Sequence, residues 1–221
     1  MDNQENKKLE EGDIFYTFSE NKYQTYKVLK IDEKNEAFHL LFYELSEEIP
    51  EIEKIKKQTI AIYHLPIDIK SLKNPVFLGN TRINAHELIG YHEYFKQTQD
   101  VNSIGLLVNE YYRKAYYLSE QKEYSNAIDE YSKAIYLFPQ FFEALDNRAF
   151  CKMDLSLWEE AIKDIQRSLS INPKSFIAEF SMGECYIRLG NILKAKEQFQ
   201  KSFDIDPSNK IAQDFLKELA K

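Results

Sequence analysis

Four histidines and two cysteines are the side chains of this 221-residue sequence best suited to metal binding, nucleophilic attack or general-base chemistry. The histidines His39, His64, His86 and His92 lack HxxxH metal spacing, and the sequence contains no nucleophile elbow, P-loop or GxGxxG motif. His39 and His64 lie in apolar, strand-like runs, where a hydrogen-bonded structural histidine is the simpler interpretation. His86 and His92 are six residues apart, which separates them on a helix. The sequence therefore predicts a protein that is not an enzyme and needs no cofactor or metal.

The two cysteines, Cys151 and Cys185, are too far apart in sequence for a CxxC redox pair or a zinc ribbon. A functional dithiol is one interpretation, because they stand at equivalent positions of two successive helices. Packed helix axes lie about 8–10 Å apart, and facing cysteines on them seldom satisfy disulfide geometry. We therefore expect both to be reduced, small, buried residues.

The charge and the polar start of the chain limit its partners and its location. A net charge of −7, with neither half of the chain basic, argues against a nucleic-acid binder. MDNQENKKLEEGD lacks the apolar run of a secretory signal, and no segment approaches the roughly 18 to 20 apolar residues of a membrane span. The sequence predicts a cytoplasmic protein that binds neither nucleic acid nor membrane, and its lysine- and isoleucine-rich, glycine-poor composition favours a bacterial source.

Three equally spaced prolines, Pro139, Pro173 and Pro207, mark an internal repeat, and the interval between them is the length of one unit. EYSNAIDEYSKAIYLFPQ (123–140) aligns without a gap to LWEEAIKDIQRSLSINPK (157–174) and NILKAKEQFQKSFDIDPS (191–208). Small residues recur at Ala127, Ala161 and Ala195 and, in the preceding helix, at Ala115, Ala149 and Gly183, while large apolar residues recur at Tyr131, Ile165 and Phe199. Each unit is therefore predicted to be two closely packed helices that end at a proline.

This pattern resembles the tetratricopeptide repeat over about residues 105–207, in units 108–141, 142–175 and 176–209. The small residues, the aromatic turn residues Tyr124 and Trp158, and the terminal prolines match that family. Lys114 and Arg148 replace its usual leucine, and Ile192 replaces its turn aromatic. The last segment, 209–221, reads as a helix that covers the end of the array.

The resemblance implies an α-α superhelix that acts as a protein-binding scaffold, with a partner peptide or protein in a groove lined by the first helices. By that resemblance the groove residues are Asn109, Tyr112, Tyr116, Ser119, Glu143, Asp146, Phe150, Met153, Ile177, Phe180, Glu184 and Ile187. Their aromatic rings suit an apolar anchor on the partner. The alternative is that these rings are packing residues covered by the N-terminal half of the chain.

Some proteins of this family bind the C-terminal carboxylate of chaperones through a clamp of lysine, asparagine and arginine. The corresponding positions here hold Tyr112, Tyr116, Phe150, Phe180 and Glu184. We therefore expect no carboxylate-clamp binding of chaperones.

The N-terminal half lacks the repeat and contains five strand-like runs, at 13–18, 23–31, 37–45, 59–67 and 75–80. They predict a small antiparallel sheet, curled into an open SH3-like barrel, over residues 1–82. Residues 83–104, with NAHELIGYHEYFKQ (84–97), are predicted as a linker helix, and residues 105–221 as the repeats with their capping helix. The fold class is thus α+β, in two domains.

The opening EGDIFYTF, followed by YKVLKI, is faintly similar to small β-domain immunity proteins of bacterial toxin systems. That resemblance implies an alternative function, in which the β-domain neutralises a toxin. The other interpretation is an accessory β-domain with no role assigned.

Overall fold

The computed structural model describes residues 8–219 and divides between Asp100 and Val101 into two compact units. The first unit is a sheet with one long helix, and the second consists of helices throughout. The predicted α+β organisation is confirmed.

The sheet unit contains the five predicted strands, joined into one antiparallel sheet of order β4-β3-β2-β1-β5. The strands are β1 (Asp13–Ser19), β2 (Lys22–Asp32), β3 (Ala37–Tyr43), β4 (Ile60–Asp68) and β5 (Val76–Asn80). A short helix α1 (Ile52–Ile55) precedes β4, and a 3-10 turn (Ile69–Ser71) follows it. The strand order is linear and ends at β4 and β5, so the sheet is open.

Both faces of this sheet bury apolar side chains, because successive strand residues point to opposite faces. Ile14, Leu29 and Leu41 lie on the face that packs against helix α2 (Ile89–Thr98). Phe15 and Val28 belong to the separate cluster of buried residues on the other face.

Helix α2 is fixed to the sheet by a buried ion pair and a close backbone approach. Lys27 Nζ on β2 donates to both carboxylate oxygens of Glu87 at 2.8 Å, and its side chain is 2% exposed. Glu87 and Asn84 each accept the backbone N–H of the other, which forms a capping box before the helix. A Cβ at Gly90 would lie 2.8 Å from the Tyr63 carbonyl carbon, so only glycine permits this approach.

The predicted linker over 83–104 differs from the structure. Residues 89–98 pack on the sheet as part of the first unit, because Tyr91, Tyr94 and Phe95 join its core. The first helix of the second unit already begins at Val101.

The helical unit consists of antiparallel pairs followed by a last helix. The pairs are α3 (Val101–Glu120) with α4 (Tyr124–Leu137), α5 (Phe142–Asp154) with α6 (Trp158–Ile171), and α7 (Phe176–Arg188) with α8 (Ile192–Ile205). Helix α9 (Lys210–Glu218) packs on α8, as expected of a capping helix, and residues 220–221 of the predicted cap lie outside the described residues.

The ends of the first helices repeat in detail. Lys122, Ser156 and Gly190 occupy equivalent positions of the three repeats, and all have positive φ, near 60° to 74°. After each first helix the following N–H groups bond back to its last carbonyls, as in Ser156 N to Met153 O and Leu157 N to Lys152 O. This is the Schellman arrangement, which satisfies carbonyl groups that a helix end leaves free.

Charged residues at the family's leucine position are explained by partners on the second helix. Lys114 Nζ lies 3.0 Å from Glu130 Oε1, and Arg148 makes two bonds to Asp164, from Nε at 2.8 Å and from Nη2 at 2.6 Å. Glu130 and Asp164 stand at equivalent positions of successive repeats, and both are buried. An ion pair therefore occupies, in two repeats, the space that a leucine fills in the family pattern.

None of the helices in residues 8–219 is long and apolar enough to cross a membrane.

Candidate functional site

The first helices α3, α5 and α7 carry the predicted groove residues. Helices α3 and α5, the first helices of two successive pairs, contact each other directly. Asn109, Tyr116, Glu143 and Ile177 are exposed, whereas Tyr112, Ser119, Asp146, Phe150, Met153, Phe180, Glu184 and Ile187 are half-buried. That these residues bind a partner stays a prediction.

The two tyrosines of α3 have different surroundings. The Tyr112 ring lies 5.7 Å from Tyr131 and 4.8 Å from Phe141, and its hydroxyl accepts a hydrogen bond from Asn147 Nδ2 at 2.8 Å. Tyr112 is thus packed into the repeat. Tyr116 is 51% exposed, so about half of its side chain is open to solvent.

Phe180 on α7 belongs to a phenylalanine cluster at the C-terminal end of the array. Its ring centroid lies 5.8 Å from Phe176, 5.2 Å from Phe199 and 5.3 Å from Phe215 on α9. This ring therefore closes the core between the last helices, and only part of it faces outward. Phe150, half-buried on α5, is the groove aromatic between these two ends.

Three carboxylates share this surface with the rings. Burial raises the pKa of Asp146, and the nearby Glu143 raises that pKa further. Burial also raises the pKa of Glu184, an effect that Arg188 opposes. The twelve predicted groove positions thus include three carboxylates and neither lysine nor arginine.

The two cysteines are free and buried, as expected. Burial raises the pKa of the Cys151 thiol to about 11 and that of the Cys185 thiol to about 12. Both therefore stay protonated and unreactive at neutral pH.

A histidine pair in the sheet unit was not found from the sequence. His39 Nδ1 on β3 and His64 Nε2 on β4 lie 2.8 Å apart, so one ring donates and the other accepts. Burial lowers the pKa of His39, and burial together with His39 lowers the pKa of His64 to about 4. The pair is therefore neutral at pH 7. Its proximity depends on the β3–β4 register, which the sequence does not reveal.

A cavity of about 590 Å³ adjoins His39 in the same unit. Its walls combine strand and helix residues, among them Lys30, Asp32, Tyr91, Tyr94 and Phe95. Within residues 8–219 no group of three or more His, Cys, Asp or Glu side chains is arranged to hold a metal ion. His39 thus lines this cavity and is hydrogen-bonded to His64.

Comparisons with known proteins concern the helical unit. A family model described as the tetratricopeptide repeat matches residues 111–141 and 180–209. These matches fall in the first and third helix pairs, and the α5–α6 pair continues the same architecture between them. No curated protein matches the chain.

Several solved structures share the fold. The second such domain of human RPAP3, in complex with the HSP70 peptide SGPTIEEVD, is 22% identical, covering 53% of this chain and 98% of that one, with a TM-score of 0.51. The first such domain of Spaghetti (RPAP3), bound to the HSP90 peptide SRMEEVD, is 22% identical, covering 52% and 91%, with a TM-score of 0.50. MamA is 19% identical, covering 60% and 74%, with a TM-score of 0.50.

The constant spacing of the prolines, the paired helices, the repeated helix ends and these matches all agree. The helical unit of this chain is built from tetratricopeptide repeats.

Proposed function

We propose that the helical unit is a non-enzymatic binding module that holds a segment of another protein along α3, α5 and α7, and that this segment carries a basic residue beside an apolar one. Repeats of this kind are protein-interaction modules, and two of the solved neighbours hold peptides. The observation that carries the proposal is the combination of the carboxylates Glu143, Asp146 and Glu184 on α5 and α7 with the exposed apolar side chains Tyr116 on α3 and Ile177 on α7.

A basic residue on the partner would stabilise carboxylates that burial destabilises. Asp146 and Glu184 are half-buried, and a buried carboxylate loses hydration that only a nearby cation or donor replaces. Complementary charges also increase the rate and specificity of association. Tyr116 and Ile177, both more than half exposed, provide the apolar contacts.

The same charges argue against a partner that ends in a free carboxylate. A peptide such as SRMEEVD would bring acidic groups toward Glu143 and Asp146, and like charges in close contact are unfavourable. The expected absence of carboxylate-clamp binding is thus part of this proposal. The toxin-neutralising role of the sheet unit stays a prediction.

The test is a selection of random 12-residue displayed peptides on the full chain, followed by anisotropy titrations of the enriched peptides. We expect enrichment of sequences with Arg or Lys beside aromatic or aliphatic residues, and no binding of SRMEEVD. The double variant Asp146→Asn, Glu184→Gln should weaken binding at least about tenfold, which is about 1.4 kcal/mol. The matched control Glu159→Gln, Glu160→Gln removes two exposed charges from α6 and should leave affinity unchanged. Enrichment of acidic peptides, tight binding of SRMEEVD, or equal affinities of both double variants would refute the proposal.

A further inference from the structure

The second helices of successive pairs, α4 with α6 and α6 with α8, flank an outer groove. The first helix that lies between them in sequence, α5 or α7, forms the floor of that groove. Between α4 and α6, over α5, this groove is filled by the protein's own charges. Arg148 binds Asp164 through two nitrogens and donates from Nη1 to Ser132 Oγ at 2.8 Å, and Lys152 Nζ donates to Asp164 Oδ2 at 2.8 Å. Here the groove holds a guanidinium group whose three nitrogens all donate to neighbouring helices.

One repeat later the same groove, between α6 and α8 over α7, is not filled. The residues one repeat on from Ser132, Arg148, Lys152 and Asp164 are Gln166, Met182, Tyr186 and Gln198. They line a cavity of about 390 Å³. Its walls thus offer a thioether, an aromatic ring and two amides where the second repeat has an ion network.

The cavity also contains a carboxylate oxygen that lacks a partner. Glu179 is 9% exposed, and no donor among the described residues reaches its Oε2 atom. One repeat earlier the equivalent residue is Leu145, fully buried. A buried carboxylate oxygen without a donor costs free energy, and burial raises the pKa of Glu179 accordingly.

The lysines at this cavity interact with cavity residues other than Glu179. Lys201 Nζ donates to Glu197 Oε1 at 2.8 Å and to Gln198 Oε1 at 3.3 Å. Lys194 Nζ lies 5.3 Å from the centre of the Tyr186 ring. Lys201 is near enough to influence Glu179 electrostatically, but no hydrogen bond joins them in the structure.

We propose that the cavity between α6 and α8 is a binding site for the guanidinium group of an arginine side chain from a partner protein. Glu179 receives the charge, the Gln166 and Gln198 amide oxygens are acceptors for the remaining N–H groups, and Met182 and Tyr186 contact the flat faces and the stem. Guanidinium fits better than ammonium because it is planar, binds carboxylates through two bonds and stacks on aromatic rings. The second repeat already holds a guanidinium group, that of its own Arg148, in the equivalent groove, although its carboxylate partner Asp164 is on the second helix.

This site lies on a different face of α7 from Phe180 and Glu184, so it is independent of the groove proposed above. The two proposals can fail separately, because each is tested with its own variants and its own probe.

The chain contains only three methionines, Met1, Met153 and Met182, which makes methyl NMR a direct test. We would label the methionine methyl groups of the full chain with carbon-13 and titrate N-acetyl-L-arginine amide. The Met182 signal should shift in a saturable manner and the Met153 signal should stay in place. N-acetyl-L-citrulline amide, which has nearly the same shape without the charge, should produce no saturable shift.

Variants distinguish the site from adventitious binding. Glu179→Gln should weaken the arginine probe at least tenfold, whereas Glu159→Gln, an exposed carboxylate on α6, should leave its affinity unchanged. Glu179→Leu, which copies Leu145 of the second repeat, should also abolish binding of the arginine probe. This variant keeps the test valid if Glu179→Gln destabilises the fold. In Lys201→Met the affinity should be equal or higher, because a competing cation is removed.

Three outcomes would overturn the proposal. The first is a Met182 signal that does not respond to the arginine probe. The second is equal shifts with the citrulline probe or in the Glu179 variants. The third is a Met182 shift that depends on protein concentration without any probe, which would assign the cavity to a second copy of this chain.

Discussion

In the second repeat, Arg148 and Asp164 form a two-bond ion pair, whereas Met182 and Gln198 stand at the same positions of the third. Both repeats nevertheless form the same helix pair with the same helix ends. This fold therefore requires side-chain volume at these positions and does not require charge. The charges instead decide whether the outer groove is closed by the protein itself, as over α5, or left open beside the unpartnered Glu179 oxygen, as over α7.

The test of this comparison with the largest expected effect on stability is to break the ion pair of the second repeat. Arg148→Met leaves the buried Asp164 with Lys152 as its remaining cation, and it should lower the free energy of unfolding by about 3 kcal/mol. The triple variant Arg148→Met, Lys152→Tyr, Asp164→Gln imports the third repeat's residues and also replaces Lys152, which binds Asp164. It should come within about 1 kcal/mol of the wild type, since uncharged residues of similar volume need no compensating charge.

Urea unfolding followed by the fluorescence of Trp158, the single tryptophan, reports on the helical unit of the full chain. Lys163→Met, at an exposed lysine on α6, is the control and should change little. If the triple variant is as unstable as Arg148→Met, charge is required in the second repeat and the comparison is wrong.

The second test exchanges the small residues where the paired helices meet. The first two repeats have Ala115 and Ala149, while the third has Gly183, where a Cβ would lie 2.7 Å from the Phe199 ring. Gly183→Ala should cost about 1–2 kcal/mol, because overpacking outweighs the roughly 1 kcal/mol that alanine gains over glycine in a helix.

A control and a rescue belong to this test. A Cβ at Gly105 in α3 meets no atom within 4 Å, so Gly105→Ala should stabilise by about 0.5–1 kcal/mol. Gly183→Ala with Phe199→Ile copies the Ala149 and Ile165 pair of the second repeat. Its destabilisation should be smaller than the sum of the two single changes, and simple additivity in urea unfolding would show that the two sites are not in steric conflict.

Much of the fold could be predicted from the sequence because its signals are local or periodic. The constant spacing from Pro139 to Pro173 and Pro207 defines the repeats without any structure. The strand runs likewise depend on short-range alternation. The bounds and role of α2 were harder to predict, because a helix that packs on a sheet and a helix that joins two units have similar sequence patterns.

The candidate sites were less predictable because they depend on partners distant in sequence. The unusual Lys114 and Arg148 were visible as departures, yet their pairing with Glu130 and Asp164 needs the geometry of two packed helices. That pairing leaves a signal, since the two positions change from charged to uncharged together in the third repeat. By contrast, His39 and His64 meet only through strand register, and no local signal marks them.

The third test replaces the buried carboxylate of the third repeat with the apolar residue found at the same position of the second repeat. Glu179→Leu copies Leu145 and removes a buried carboxylate whose Oε2 has no donor in the described part of the chain. It should raise the free energy of unfolding by about 1 kcal/mol at pH 7. A destabilisation in urea unfolding would show that Glu179 already has a compensating partner.

The gain from this variant should depend on pH. The pKa of Glu179 is raised above its ordinary value of 4.5 in the folded state, so its contribution to stability is fully present below pH 4.5 and is lost as the pH rises through the folded pKa. The difference in free energy of unfolding between Glu179→Leu and the wild type should therefore increase, in favour of the variant, as the pH rises from 4 to 7. A difference that is constant over this range would contradict an ionising Glu179.

The smallest test concerns contacts between successive repeats. The guanidinium carbon of Arg188 lies 5.8 Å from the centre of the Trp158 ring, while at the equivalent positions one repeat earlier Asp154 lies near enough to Tyr124 to interact with it electrostatically. Arg188→Met keeps most of the stem and loses the cation–π interaction, so it should cost about 0.5–1 kcal/mol.

Arg188→Asp should cost at least as much, because a carboxylate gains nothing from the face of an indole ring. Arg188→Asp with Trp158→Tyr recreates the first repeat's pair and should be more stable than the sum of its single changes predicts. Thermal unfolding followed by circular dichroism, which needs no tryptophan signal, measures the wild type, Arg188→Met, Arg188→Asp, Trp158→Tyr and the double variant. Additivity would mean that the two repeats do not use equivalent contacts.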